Sequence, residues 1–182
     1  INTNGDVTND PKVREAFQYL LDRETIVKHV LNDLEVPAST LFSPGFPYSE
    51  LDVSAYSYNV EKAVQILEEA GWKLDDKTGI RMKEGKPLSV TFAFNSEDQV
   101  QKSIAEYMQG EWRKSGVEIQ LTGEESQILY GRLKDGDFDF TFNDTWGAPY
   151  DPHMYIRTML GEKQIGNYAL IGTASKEKLE DE

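Results

Sequence analysis

Leu88-Ser89-Val90-Thr91-Phe92-Ala93-Phe94 is the stretch on which the fold turns. Its residues alternate by side, the period-two pattern of a strand, and β-branched and aromatic types suit a pleated surface. Just downstream, Ser96 with Gln99 has the spacing of a capping box. It predicts a helix that carries Ile104, Met108 and Trp112 inward and stops at Gly116. A second strand is expected over 117–121, a helix over about 125–133, and after Gly136 a third strand over 138–142. Strand and helix alternating through short links predict a parallel sheet with right-handed crossovers. The fold class is therefore α/β, a mainly parallel sheet flanked by helices.

Upstream the chain is helical and loop-like. Asp10 followed by Pro11 marks a helix start, an N-cap acceptor before a proline at the first position. Val13, Ala16, Phe17, Leu20 and Leu21 then share one face. Asp22 is placed to cap a short second helix with Ile26, Val27, Val30 and Leu31 inward. The stretch 37–58, rich in Pro, Ser, Gly and Tyr, reads as a long ordered loop, and covering a ligand cleft is one reason for such a loop. Asn59 caps a helix with Ala63, Ile66, Leu67 and Ala70 as its apolar stripe, ended by Gly71. Lys77-Thr78-Gly79 and Glu84-Gly85-Lys86 read as turns around a short strand over 80–82.

The formal net charge of −13 opposes binding to nucleic acid or an anionic membrane surface and suits a monomer whose copies repel one another. With no cysteine, a disulfide framework and thiolate metal sites are excluded. No apolar run is long enough to span a bilayer. The opening Ile1-Asn2-Thr3-Asn4-Gly5 lacks an initiator Met, and 175–182 reads as a helix interrupted in its first turns. Both ends lead to the expectation of a fragment.

In open parallel sheets, ligands bind beyond the carboxyl ends of the strands. The segment leaving the third strand is Asn143-Asp144-Thr145-Trp146-Gly147-Ala148-Pro149-Tyr150-Asp151-Pro152-His153, two large aromatics around a Gly-Ala-Pro turn. Trp146 and Tyr150 are either cleft walls or core packing, and a loop at strand ends favours the cleft. Asp151 and Pro152 open a further helix with Ile156, Met159 and Leu160 inward. Tyr130, near the end of the preceding helix, could reach the same opening, although a tyrosine in that position is more often core. His153 reads better as a capping or structural histidine than as a metal ligand, because His29 is the only other imidazole in the chain. A soft metal held here would have to arrive already chelated. Glu124 and Glu125 suit the dipole of the helix they precede. Neither they nor Asp144 and Asp151 pair with a nucleophile, so no catalytic residue is assigned and binding without chemistry is expected. A hydrolase using Asp144 and Asp151 is the competing class, and turnover that falls in Asp151→Asn would reveal it.

On these residues the chain resembles the solute-binding proteins of peptide and nickel ABC importers. Asn9-Asp10-Pro11-Lys12-Val13-Arg14-Glu15-Ala16-Phe17 carries the general likeness, as do Tyr58-Asn59-Val60-Glu61-Lys62-Ala63 and Glu69-Ala70-Gly71-Trp72. Thr145-Trp146-Gly147-Ala148-Pro149-Tyr150-Asp151-Pro152-His153 looks like the nickel branch, with Gly123-Glu124-Glu125-Ser126, Tyr130-Gly131-Arg132 and Asp135-Gly136 before it. The resemblance implies a periplasmic-binding-protein-like lobe, the second of two joined by a hinge and closing over the ligand. Residues 1–182 would form most of that lobe, truncated at both ends: a helical and loop part over 1–87, the β-α-β-α-β part over 88–145, and the cleft loop with its following helix over 146–182. It implies that Trp146 and Tyr150 face the cleft with Tyr130 beside them. The ligand implied is nickel inside a small organic chelator, with no intrinsic cofactor. Gln164 stands where nickel-binding relatives carry a histidine, and an amide is a poorer nickel donor, so no protein metal ligand is assigned. The partners implied are the importer's membrane subunits, and the place is extracytoplasmic, periplasmic or anchored at the cell surface as a lipoprotein. An oligopeptide-binding lobe is the alternative. It needs a long groove with strand-like pairing, whereas a chelate needs a compact aromatic pocket.

Overall fold

A computed structural model of the chain describes residues 1–38, 40–41, 56–144, 156–157 and 159–173. The first helix, α1, is Pro11–Leu20, and the Asp10 carboxylate accepts from the Lys12 amide at its start. Val13, Ala16, Phe17 and Leu20 are buried along it, as their spacing requires. Its last carbonyls are not capped by a left-handed residue. Instead the Tyr19 carbonyl accepts from the Asn59 amide, and the Leu20 carbonyl accepts from Trp112 Nε1, which satisfies groups that a helix end leaves unpaired.

Asp22 caps α2, Arg23–Thr25, through the Thr25 amide, and the chain then widens into a π-helical turn, Ile26–Val30. The widening shifts the inward face. Ile26 is buried, while Val27, Val30 and Leu31, expected inward beside it, are half-buried. Most of the loop expected over 37–58 lies outside the described residues. Asn59 caps α3, Val60–Glu69, and Gly71 follows it at φ 91°. Of the expected stripe, Ala63, Ile66 and Leu67 are buried and Ala70 is partly so.

A small antiparallel sheet comes next, β1 (Lys73–Leu74), β2 (Arg81–Lys83) and β3 (Lys86–Pro87). The sequence anticipated β2 but not its two short partners. Glu84 and Gly85 both take positive φ between β2 and β3, as a two-residue hairpin turn of the primed type demands.

The parallel sheet follows. β4 is Ser89–Asn95, α4 Gln99–Arg113, β5 Glu118–Glu124, α5 Ser126–Asp135 and β6 Phe140–Thr141. β4 lies in the middle, parallel to β5 from Ser89↔Glu118 to Asn95↔Glu124 and to β6 at Phe92↔Phe140 and Ala93↔Thr141. β6 is shorter than the strand expected over 138–142, although Phe138 is buried and Phe142 stacks on Phe92 with ring centres 5.0 Å apart. Val90, Phe92 and Phe94 join the main core with Phe17, Leu67 and Trp112. Ala93 turns the other way, into a smaller cluster with Leu129, Leu133 and Phe138. The alternation in β4 is thus between two apolar layers, as expected of a strand covered on both faces.

The start of α4 corrects the capping box expected at Ser96. The Ser96 amide is bonded to the Glu124 carbonyl at the exit of β5, and Ser96 lies in a turn closed by the Asp98 amide on the Asn95 carbonyl, two residues short of the helix. Asp98 is the cap, accepting from the Val100 and Gln101 amides at 2.9 and 3.0 Å. Asp98→Ala should therefore lower stability by about 1 kcal/mol, and Ser96→Ala by less than about 0.5 kcal/mol, read as urea midpoints.

Arg81 holds the small sheet to the rest. It is 3% exposed. Its backbone amide donates to the Gly116 carbonyl, its Nε to the Ser115 carbonyl at 2.8 Å, and its Nη1 to the Trp72 carbonyl at 3.0 Å. Gly116, at φ 81°, lies so close that an added Cβ would come 2.8 Å from Arg81 Cγ. Among the described residues, no helix is long and apolar enough to cross a membrane.

Candidate functional site

β4, β5 and β6 run parallel; β4 and β5 end side by side at Asn95 and Glu124, and β6 ends at Thr141 opposite Ala93. This edge is where an open sheet of this kind meets its ligand. Asn95 is occupied with its own turn: its backbone amide donates to Gln101 Oε1, and its Oδ1 accepts from the Glu97 amide. At Glu124 the geometry departs from the sequence reading. The carboxylate serves Arg132 rather than the helix dipole, receiving Nε and Nη2 in a two-pronged pair, both at 2.9 Å. The Arg132 side chain holds the Glu124 carboxyl below its usual range, chiefly by hydrogen bonding. Arg132 also pairs with Asp137. A carboxylate so engaged stays ionised and is poorly placed to move protons. Glu125 occupies the N-cap position of α5 without a side-chain cap bond.

Tyr130 and Gln164 border the smaller core. Tyr130 follows buried Leu129 on α5 and is 59% exposed, so it is not core packing. Gln164 is exposed and immediately precedes the 3-10 helix Ile165–Ala169, whose Ile165 packs against the same cluster as Leu129. The described structure thus sets both residues on the α5 side of the sheet. Trp146, Tyr150, Asp151, Pro152 and His153 lie outside the described residues. Of the helix expected after them, 156–157 and 159–160 are helical, but Ile156 and Leu160 are exposed and only Met159 is half-buried. The inward stripe expected there is not formed by those two residues.

His29 sits exposed on the π-helical turn. Among the described residues, no group of three or more His, Asp or Glu side chains could hold a metal ion. The sequence reading missed an apolar hollow of about 240 Å³ on the opposite face of the sheet, lined by Phe17, Leu21, Ile104, Met108, Phe140 and Phe142 among others. Each of these residues reads as ordinary core when taken singly, so nothing in the spacing signals it.

Residues 1–167 match the family of bacterial extracellular solute-binding proteins, family 5, middle region. The chain belongs to this family. Family 5 relatives of two kinds lie near it. The nickel-binding periplasmic protein of Escherichia coli is 37% identical over 182 residues, all of this chain and 35% of that protein. NikA from Brucella suis, solved in complex with Fe(III)-EDTA, superposes with a TM-score of 0.94 at 38% identity, covering 100% of this chain and 36% of that one. AppA, the oligopeptide-binding protein of Bacillus subtilis solved with a nonapeptide, superposes with a TM-score of 0.84 at 32% identity, covering 99% and 37%. The chain therefore spans about a third of the length of the relatives it matches. These superpositions establish the periplasmic-binding-protein-like fold that the resemblance implied, with helices packed on a parallel sheet.

Proposed function

We propose that this family 5 chain is the second lobe of a two-lobed protein that captures a chelated divalent transition metal, nickel foremost, for an ABC importer. The observation that carries the reading is the match of all 182 residues to part of a nickel-binding relative, together with a 0.94 superposition on a relative holding a metal chelate. The donor chemistry agrees. Two histidines and no cysteine in 182 residues cannot wrap a borderline metal, so the chelator supplies most donors and the protein recognises its outer surface. Trp146 and Tyr150 would stack on that surface, with Tyr130 and Gln164 at its margin. No catalytic step is required of any residue. Capture is by hinge closure, which brings the other lobe's groups onto the same ligand. The protein works outside the cytoplasm, with the importer's membrane subunits as its partners.

The second reading is an oligopeptide, favoured by the 0.84 superposition on AppA with its nonapeptide. The two-lobed protein, purified without added ligand, separates them by native mass spectrometry. Nickel with a small organic molecule is the expected cargo. A ladder of peptide masses in its place would overturn the metal reading.

A further inference from the structure

Asn167 is 3% exposed within the 3-10 helix, and its side chain is bonded back across the loop that carries Gln164. Its Nδ2 donates to the Met159 carbonyl at 2.7 Å, eight residues earlier. The Asn167 amide donates to the Gln164 carbonyl at 2.9 Å, and the Gln164 amide donates to the Gly161 carbonyl at 3.2 Å. Lys163, immediately before Gln164, sits at φ 58°, a left-handed conformation that an L side chain adopts under constraint. The stretch 159–167 is thereby closed on itself. A buried amide is tolerated only when paired, and pairing it across the loop sets the loop's width.

The next residue fastens the loop to the body. The Tyr168 ring packs edge-on against Phe138 with centres 5.5 Å apart, and its hydroxyl donates to the Lys134 carbonyl. The Tyr168 carbonyl accepts from both the amide and Oγ1 of Thr3, at 2.7 and 2.9 Å. Gly136 makes room for the ring, since a Cβ there would come 2.7 Å from Tyr168 Cε1.

We infer that Asn167 is a positioning residue for ligand capture, holding the 159–167 loop so that the exposed amide of Gln164 is presented to the ligand. The inference rests on the cleft role proposed above for Gln164. An amide offers both donors and an acceptor, which suits the carboxylate or amide groups of an organic chelator. A side chain as free as glutamine's binds weakly unless its backbone is already fixed, and Asn167 supplies that fixing.

The test uses the full two-lobed protein with Fe(III)-EDTA and nickel(II)-histidine as probes in calorimetry. Gln164→Ala is expected to weaken binding roughly fivefold to tenfold, the scale of one hydrogen bond. Asn167→Ser should weaken it to a similar degree. In the double variant the second loss should vanish, because a residue acting through Gln164 has nothing left to position. A residue that merely supported the fold would cost affinity in both backgrounds. Multiplying losses, or wild-type affinity in Asn167→Ser while Gln164→Ala is weakened, overturns the inference and leaves the proposed function standing. Unchanged affinity in Gln164→Ala removes Gln164 from the site, and the inference with it. Should Asn167→Ser fail to fold, hydrogen exchange on the ligand-free wild type decides. Slow exchange at the Gln164 and Asn167 amides is expected, and exchange at random-coil rates shows that no preformed loop exists.

Discussion

Trp112→Ala is expected to destabilise the chain by about 3–5 kcal/mol, the range for deleting a buried tryptophan. Trp112 is 2% exposed and touches both α1 and β6. Its ring stacks on Phe17 of α1 at 4.8 Å and meets Phe140 of β6 edge-on at 5.5 Å. Its Nε1 donates to the Leu20 carbonyl at 3.0 Å, one of the end groups of α1. Alanine removes the packing and leaves that carbonyl without its partner. Domains are stable by only about 5–15 kcal/mol, so a large part of the margin would go. Trp72 serves as the control. It is also buried, but its Nε1 has no hydrogen-bond partner among the described residues, so Trp72→Phe should cost less than Trp112→Phe. Urea unfolding of the three variants checks both statements, and a Trp112→Ala midpoint close to wild type would refute the first.

Trp146→Ala, made in the two-lobed protein, is expected to weaken binding of a metal chelate by about 1–3 kcal/mol, the worth of a buried aromatic contact. That is roughly tenfold to more than a hundredfold in Kd. The expectation comes from the sequence, where a Trp-Gly-Ala-Pro-Tyr turn leaves the third strand at the sheet's carboxyl edge. It also rests on the proposed closure, since a ring that stacks on the ligand is desolvated only when the lobes shut. The present chain alone, one lobe of the proposed pair, should bind the same chelate weakly or undetectably. Calorimetry on both proteins reads the two effects, and an unaltered Kd in Trp146→Ala would take the ring out of the cleft.

The sheet was legible because its strands alternate with period two, Val90, Phe92 and Phe94 in β4 and Val117, Ile119 and Leu121 at β5. β4 and β5 emerged within a few residues of their expected bounds. Helix starts at Asp10, Asp22 and Asn59 were legible because a side-chain acceptor next to a helical pattern leaves little choice. Ser96 misled because the capping-box spacing is local, whereas the bond that holds Ser96 in the turn after β4 comes from Glu124 in another strand. β1 and β3 are two residues each, too short to show a period. The π-helical turn has no composition of its own. The site divides in the same way. Of the residues proposed for the cleft, Trp146 and Tyr150, which lie outside the described residues, stand out as aromatics around a Gly-Ala-Pro sequence, and Gln164 only through the family resemblance. Asn167 gave no signal, because a buried asparagine in a loop looks like any polar loop residue until its partner on Met159 is seen.

The junction at Arg81 bears on how such a molecule could move. One guanidinium gathers carbonyls from Trp72 and Ser115, while the adjoining backbone bonds to Gly116. The hairpin therefore has little freedom to slide against the end of α4. Flexing would strip hydrogen bonds from a buried cation whose remaining partner is the Glu68 carboxylate at 3.4 Å. A piece fastened in this manner is a stiff strut, in which a push on the hairpin is carried straight into the end of α4.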